Sequence, residues 1–248
     1  MVRSLLVRGM IAGFLASLLA FAFARVVGEP QVEAAIAFEE QATHAMGGSH
    51  AHEMPELVSR DTQSGVGLFV GLGVFGAALG GLFALVFAFV HGRIGALGGL
   101  GTRATSGLLA LLGYIAIVLV PFFKYPPNPP AIGDPSTIGL RTALFFTMIA
   151  VSLAAMVVAV VVARRLAARR DGWTMGLAAA AIFVVLGALA HALLPGINEV
   201  PEHFPATLLW QYRVAAFGIQ AVLWAALGIV FAYLAEPVMA PGRRASRA

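Results

Sequence analysis

The chain has 248 residues, 60% hydrophobic and only 11% charged, with a mean hydropathy of +0.89. Soluble domains carry roughly 25% charged residues, so the composition excludes an ordinary soluble domain and indicates an integral membrane protein. Cysteine is absent, which excludes disulfides, zinc-thiolate sites and thiol nucleophiles. The formal charge of +4 lies in short basic clusters between apolar runs, where it acts as a topology signal rather than a nucleic-acid footprint.

Six apolar runs are each close to the ~20 residues that a helix needs to cross a bilayer. They fall at about 5–27, 65–90, 104–123, 141–163, 174–194 and 214–235. The expected fold is therefore an all-α integral membrane protein, one membrane domain over 1–248 with six transmembrane helices. Arg3 and Arg8 precede the first run, and Ala22-Phe23-Ala24 near its end resembles a signal-peptidase site. The run is longer than the apolar core of a signal peptide, which favours an uncleaved helix; cleavage would leave five.

The loop that follows, 28–64, reads after Pro30 as a short amphipathic helix with Val32, Ala35 and Ile36. Glu29 stands four residues after Arg25, the spacing of a helical ion pair. Gly47 and Gly48 then break the helix, inside the stretch HAMGGSHAHEMPE (44–56) with its three histidines, two methionines and two glutamates. The second run carries GVGLFVGLGVFGAALGGLFAL (65–85), whose glycines allow helix backbones to approach closely; packing rather than a pore is expected from them. His91 reads as an ordinary helix-end residue. The loop PFFKYPPNPPAIGDPSTIGLRT (121–142) holds six prolines and is rigid and extended by composition. The loop LPGINEVPEHFPATLLWQYR (194–213) has three prolines, with Trp210 and Tyr212 suited to a membrane interface. In each of these loops a helix exits near a proline, and Arg60, Arg141 or Arg213 stands near the start of the returning helix, which suggests three similar hairpins.

Charge fixes the expected sidedness. Arg3 and Arg8, Arg93 and Arg103, the cluster Arg164, Arg165, Arg169 and Arg170, and finally Arg243, Arg244 and Arg247 occupy every second connection. The positive-inside rule then puts both ends of the chain in the cytoplasm. The alternate connections hold ten of the twelve acids and face outward, together with the histidine stretch.

That stretch offers the ligand types a borderline divalent ion such as cobalt accepts, imidazole nitrogen and carboxylate oxygen: His44, His50, His52, Glu53 and Glu56. His50 and His52 share a side of an extended chain, while His44 must return across Gly47-Gly48-Ser49, so the three meet around one ion only if the loop orders on binding. Ordering costs entropy, which predicts modest affinity and fast release. The bland alternative is a polar linker rich in histidine. Glu199, Glu202 and His203 in the third outer loop are further candidate ligands, and His191 suits a hydrogen bond between helices.

Several chemistries are disfavoured. The centres of the six runs contain no Asp or Glu, and Gln220 is the most polar residue at depth, which argues against proton-coupled exchange. No GxxxxGK[ST] loop is present. His52-Glu53-Met54-Pro55-Glu56 lacks the second histidine of a metalloprotease helix, so no enzyme is expected. Inward flow needs no coupled source: a divalent cation gains roughly 4.6 kcal/mol per 100 mV, twice the single-charge figure.

The segments VGEPQVEAAIAFEE, the histidine stretch, PFFKYPPNPPAIGDP with TIG and RT, and LPGINEVP with FPATLLW resemble the predicted cobalt transporter subunit family CbtA over nearly the whole chain. The resemblance implies a multi-pass protein of the bacterial inner membrane for cobalt uptake, linked to cobalamin synthesis. It implies cobalt(II) as the transported ion rather than a permanent cofactor, and a small single-helix, histidine-rich partner (CbtB-like). A membrane subunit that assembles or regulates another complex without transporting is the alternative.

Overall fold

The computed structural model describes residues 1–45, 58–91, 100–130, 132–166 and 172–239, and His50, His52, Glu53 and Glu56 lie outside these ranges. Among the described residues every regular element is helical, and six runs are long and apolar enough to cross a membrane. The elements are α1 (Val2–Phe23), α2 (Glu29–Ala45), α3 (Arg60–Thr62), α4 (Leu68–Val90), α5 (Thr102–Tyr114), α6 (Val120–Lys124), α7 (Ile138–Leu166), α8 (Gly172–Leu193) and α9 (Ala206–Met239).

Three π-helical turns join elements into longer runs: Ala24–Gly28 between α1 and α2, Gln63–Gly67 between α3 and α4, and Ile115–Leu119 between α5 and α6. Two of them sit just before a proline. Pro30 and Pro121 have no N–H to give and a ring that collides with the carbonyl four residues back. That carbonyl belongs to Val26 in one case and Ile117 in the other, both inside the widened turn. The wider turn accommodates each ring without ending the helix. The chain is consequently helical from Val2 to His44, a run of 43 residues. The break expected near Pro30 is corrected to a continuous rod.

The tightest packing is between α1 and α4. A Cβ added at Gly13 would lie 2.8 Å from the carbonyl carbon of Gly76, and one at Gly76 would lie 2.7 Å from Ser17 Cβ. A Cβ at Gly80 would lie 2.9 Å from Gly13 Cα. Backbones touch along Gly9, Gly13, Gly76 and Gly80, so the glycine pattern of the second run packs helices as its spacing indicates. On its other side α1 meets α9, and α5 lies on α9. There Ser106 Oγ donates to the Gly228 carbonyl at 2.7 Å, and a Cβ at Gly228 would be 2.6 Å from Ala110 Cβ.

Around these contacts Leu5, Phe83, Phe87, Leu223, Trp224, Leu227 and Phe231 form the main core, with edge-to-face ring pairs Phe83–Phe231 and Phe87–Phe231. Beyond α5 the packing thins. α7 touches α6 and the adjoining π-turn, and α8 rests on α7. The membrane helices therefore form a row, α4–α1–α9–α5–α7–α8, with α1 inside it. α8 has a single buried residue, Ala190.

Two ends of the row can be told apart. At one end, which carries Arg3, Arg8, Arg103, Arg164 and Arg165 among the described residues, Arg8 Nη1 donates to the Leu234 carbonyl at 2.7 Å, and Arg103 pairs with Glu236 at 2.6 Å. His91 stacks on Phe87 and meets Thr105 Oγ1 at 3.3 Å, an ordinary helix-end arrangement. The other end is the α2 end.

Candidate metal-capture face

The α2 end has a small core of its own. Ala35 and Phe38 of α2 pack with Ile132 from the α6–α7 connection and with Val200, Phe204, Leu208 and Leu209 from the α8–α9 connection and the start of α9. The Phe38 and Phe204 rings meet edge to face, centroids 5.1 Å apart. Ala35 and Phe38 are three residues apart and share one helix face, which is why the amphipathic pattern after Pro30 survives as a packed contact. The three loops thus pack together into one cap.

The returning arginines fasten this cap. Arg60 pairs with Glu29, which is 8% exposed, across the base of α2. The i+4 partner expected for Glu29, Arg25, instead reaches the Ser64 carbonyl at 3.5 Å. Arg213 donates through Nη2 to Asn128 Oδ1 at 2.9 Å. Arg141 packs over Gly133, whose φ of +122° is open to glycine but strained for other residues, and donates to the Asp134 carbonyl at 3.2 Å. It also faces Glu199, with Nε 3.4 Å from Oε2.

Glu199 joins two loops. Its Oε1 accepts from Thr137 Oγ1 at 2.6 Å, and its Oε2 accepts from the Asp134 N–H at 2.9 Å. The Thr137 hydroxyl, the Asp134 N–H and the Arg141 charge together hold the Glu199 carboxyl below the usual carboxylate range. Asp134 is lowered as well, first because its side chain accepts from the Ser136 N–H, a cap on the short 3-10 turn Pro135–Thr137. Both Glu199 oxygens are engaged, so ligation there would have to open the latch.

The remaining candidates are more accessible. Glu202 and His203 are exposed, directly before the buried Phe204 that seats on Phe38. His44 is exposed in the last turn of α2, six residues beyond Phe38, or about 9 Å along the axis at 1.5 Å per residue. The cap brings Glu202 and His203 to the flank of the helix that carries His44. No group of three or more histidines and carboxylates gathers at an ion-sized site among the described residues. His191 makes the interhelical bond its position suggested: Nε2 lies 3.2 Å from the Phe123 carbonyl, while Lys124 Nζ donates to the His191 carbonyl at 2.7 Å.

Sequence reasoning missed the Glu29–Arg60 pair and the Glu199 latch. The signal for the latch was the run Asp134-Pro135-Ser136-Thr137, a capping pattern that fixes a short turn opposite another loop. For the pair it was Arg60 beside Asp61 at a helix start, a basic residue where an acid is favoured.

No curated protein and no solved structure matches the chain. The sequence profile of one family, described as probable cobalt transporter subunit (CbtA), matches residues 2–236. A six-helix membrane chain matched over that length belongs to the CbtA family of probable cobalt transporter subunits.

Proposed function

We propose that this chain captures divalent cobalt on the outer face of a bacterial inner membrane and hands it inward together with a partner subunit, in support of cobalamin synthesis. The observation that carries this reading is the mounting of the histidine stretch. One end springs from the tip of α2, a 17-residue helix about 25 Å long at 1.5 Å per residue. The other end returns at Ser59–Arg60, which is paired to Glu29 at the base of that same helix. Ligands tethered at both ends to this one helix would raise the local concentration of an ion near the helix row without forming the path through it.

In this reading His44, His50, His52, Glu53 and Glu56 bind the ion first, and Glu202 and His203 on the flank of α2 receive it. Glu199 sets their position through the latch and supplies a carboxylate to the entrance when the latch opens. Imidazole and carboxylate suit cobalt(II), though such ligands bind nickel and copper more tightly, so selectivity needs geometry or supply. The arginine distribution supports placing the cap outside and both chain ends inside. A small single-helix, histidine-rich subunit (CbtB-like) is the proposed partner.

The test is uptake at limiting and at saturating cobalt. Replacing His44, His50 and His52 together with alanine should raise the apparent KM several-fold and leave the maximal rate within a factor of two. Replacing Glu199 and Glu202 should lower flux at every concentration. Unchanged uptake by the triple variant at the lowest cobalt would return the stretch to a polar linker. A reporter fused at Ser49 should be outside and one at Ala168 inside; the reverse would overturn the capture reading. A second reading, a membrane subunit that assembles another complex without carrying the ion, draws on the absence of acids at mid-membrane. Cobalt accumulation that does not depend on this chain would favour it.

A further inference from the structure

Among the described residues the row of helices leaves a long opening beside α8. Between α5–α6 on one side and α7–α8 on the other runs a groove of about 950 Å³. Among the described residues it is lined by Leu, Ile, Val, Phe, Met, Ala and Gly side chains, with His191 the single polar one. It reaches from Leu100 and Gly172 at the arginine end to Phe123 and His191 at the α2 end. α8 spans its depth: 22 residues make about 33 Å, against a hydrocarbon core of about 30 Å.

The depth bears on what fills it. An acyl chain belongs to one leaflet and covers about half of that core, whereas a spanning helix covers all of it. The α8 wall is shaped for a backbone. Gly176 and Gly187 face the groove, and a Cβ built at either would have nothing within 4 Å. Compare Gly13 and Gly76, where the equivalent space is occupied by the opposing helix. Glycine gives lipid chains little to pack on but lets a helix approach closely. α8 also has one buried residue where α9 has nine, Ala215 through Ala235, and α7 is the helix it packs on among the described residues. The family description, a transporter subunit, supplies a reason for another chain to be there.

We infer that this groove seats one transmembrane helix of a partner subunit, apolar along the face it presents, with its bulkier side chains over Gly176 and Gly187. The seat is closed at the α2 end by the Lys124–His191 and His191–Phe123 hydrogen bonds, so the helix ends beneath the cap. The inference deepens the proposed function by giving its partner a place; it does not depend on which ion is carried.

The absence of cysteine makes the test clean. Single variants Gly176→Cys and Gly187→Cys, and controls Val185→Cys and Leu189→Cys on the opposite face (58% and 51% exposed), are labelled with a benzophenone maleimide and irradiated in membranes of cells expressing the whole transporter, without added cobalt. The expected result is one polypeptide with a single spanning segment, identified by mass spectrometry, cross-linked from both groove positions and at least tenfold less from the controls. Gly176→Leu and Gly187→Leu should each cut its co-purification at least fivefold while the yield and Tm of this chain stay unchanged. Cross-links to lipid alone, to a second copy of this chain, to a multi-spanning protein, equally from the controls, or none at all would each overturn the inference. A clear single-helix adduct beside unchanged uptake in the histidine variant would sink the cobalt-capture reading alone.

Discussion

Breaking the Glu29–Arg60 pair should destabilise the protein unequally from its two sides. Glu29 is 8% exposed, whereas the Arg60 side chain retains 32% of its surface in contact with solvent. Arg60→Ala strands a carboxylate in nearly complete burial, which costs about 3–5 kcal/mol. Glu29→Ala strands a guanidinium that can turn a third of its surface to water, and the loss is nearer one charged hydrogen bond, about 2 kcal/mol. The double variant should therefore lie about 1.5–3 kcal/mol above the sum of the singles in stability, the coupling of a charged hydrogen bond. Unfolding by SDS in mixed micelles, followed by tryptophan fluorescence, measures all four proteins. A coupling below about 0.5 kcal/mol, the ordinary error of additivity, would refute the pair as the fastening of α2. So would Glu29→Ala proving the more damaging single change.

Gly13→Val should force α1 and α4 apart and cost about 1–3 kcal/mol by overpacking, while Gly71→Ala, where a Cβ meets nothing within 4 Å, should be neutral in the same unfolding assay. Gly133→Ala should cost about 1–3 kcal/mol, since it combines φ +122° with a Cβ 2.7 Å from Arg141 Cζ; the check is the melting temperature against Gly139→Ala, which has open space. The Glu199 latch has a carboxyl lowered from 4.5, so its stabilisation is fully present above that value and is lost as pH falls through the lower folded value. Hydrogen exchange of the Asp134 amide should accordingly stay protected from pH 7 to pH 5, and Glu199→Ala should abolish that protection throughout. Cobalt capture, by contrast, should fade between about pH 7 and pH 5.5 as imidazole takes up protons; binding that stays flat over that window would assign the ion to carboxylates.

What the sequence revealed and what it withheld divide along physical lines. The six spans were legible because bilayer crossing is set by length and apolarity, which are local properties. The close approach of α1 and α4 was half legible: glycine spacing in 65–85 announced a small-residue face, but the matching Gly9 and Gly13 on α1 needed the fold. His191 was read as an interhelical donor or acceptor, and it is one. The partner of Glu29 was not legible, since an i+4 rule knows only the helix it counts along, and the arginine that pairs with it lay 31 positions away. Pro30 misled for another reason. Proline ends a regular helix, but a π-turn placed before it supplies the room, and nothing in Ala24–Gly28 announces such a turn. For the site, residue types could be chosen from ligand chemistry, whereas the latch that occupies Glu199 is a matter of which loop lies opposite.

The π-turn at Ala24–Gly28 also sets the angular phase between the membrane half of the long helix and its outer half. A regular helix advances about 100° per residue, so the extra residue of a π-turn rotates everything beyond it by that amount relative to an unbroken α-helix. Ala35 and Phe38 point at Ile132 and Phe204 only in that phase. Relaxing the turn into a regular α-helix with all its residues kept would leave α1 seated on α4 and turn the apolar stripe of α2 away from the cap, carrying His44 around the rod with it, whereas deleting one residue at the same time would restore the phase. The single extra residue works as a dial between two halves of one rod, and its setting decides which way His44 faces.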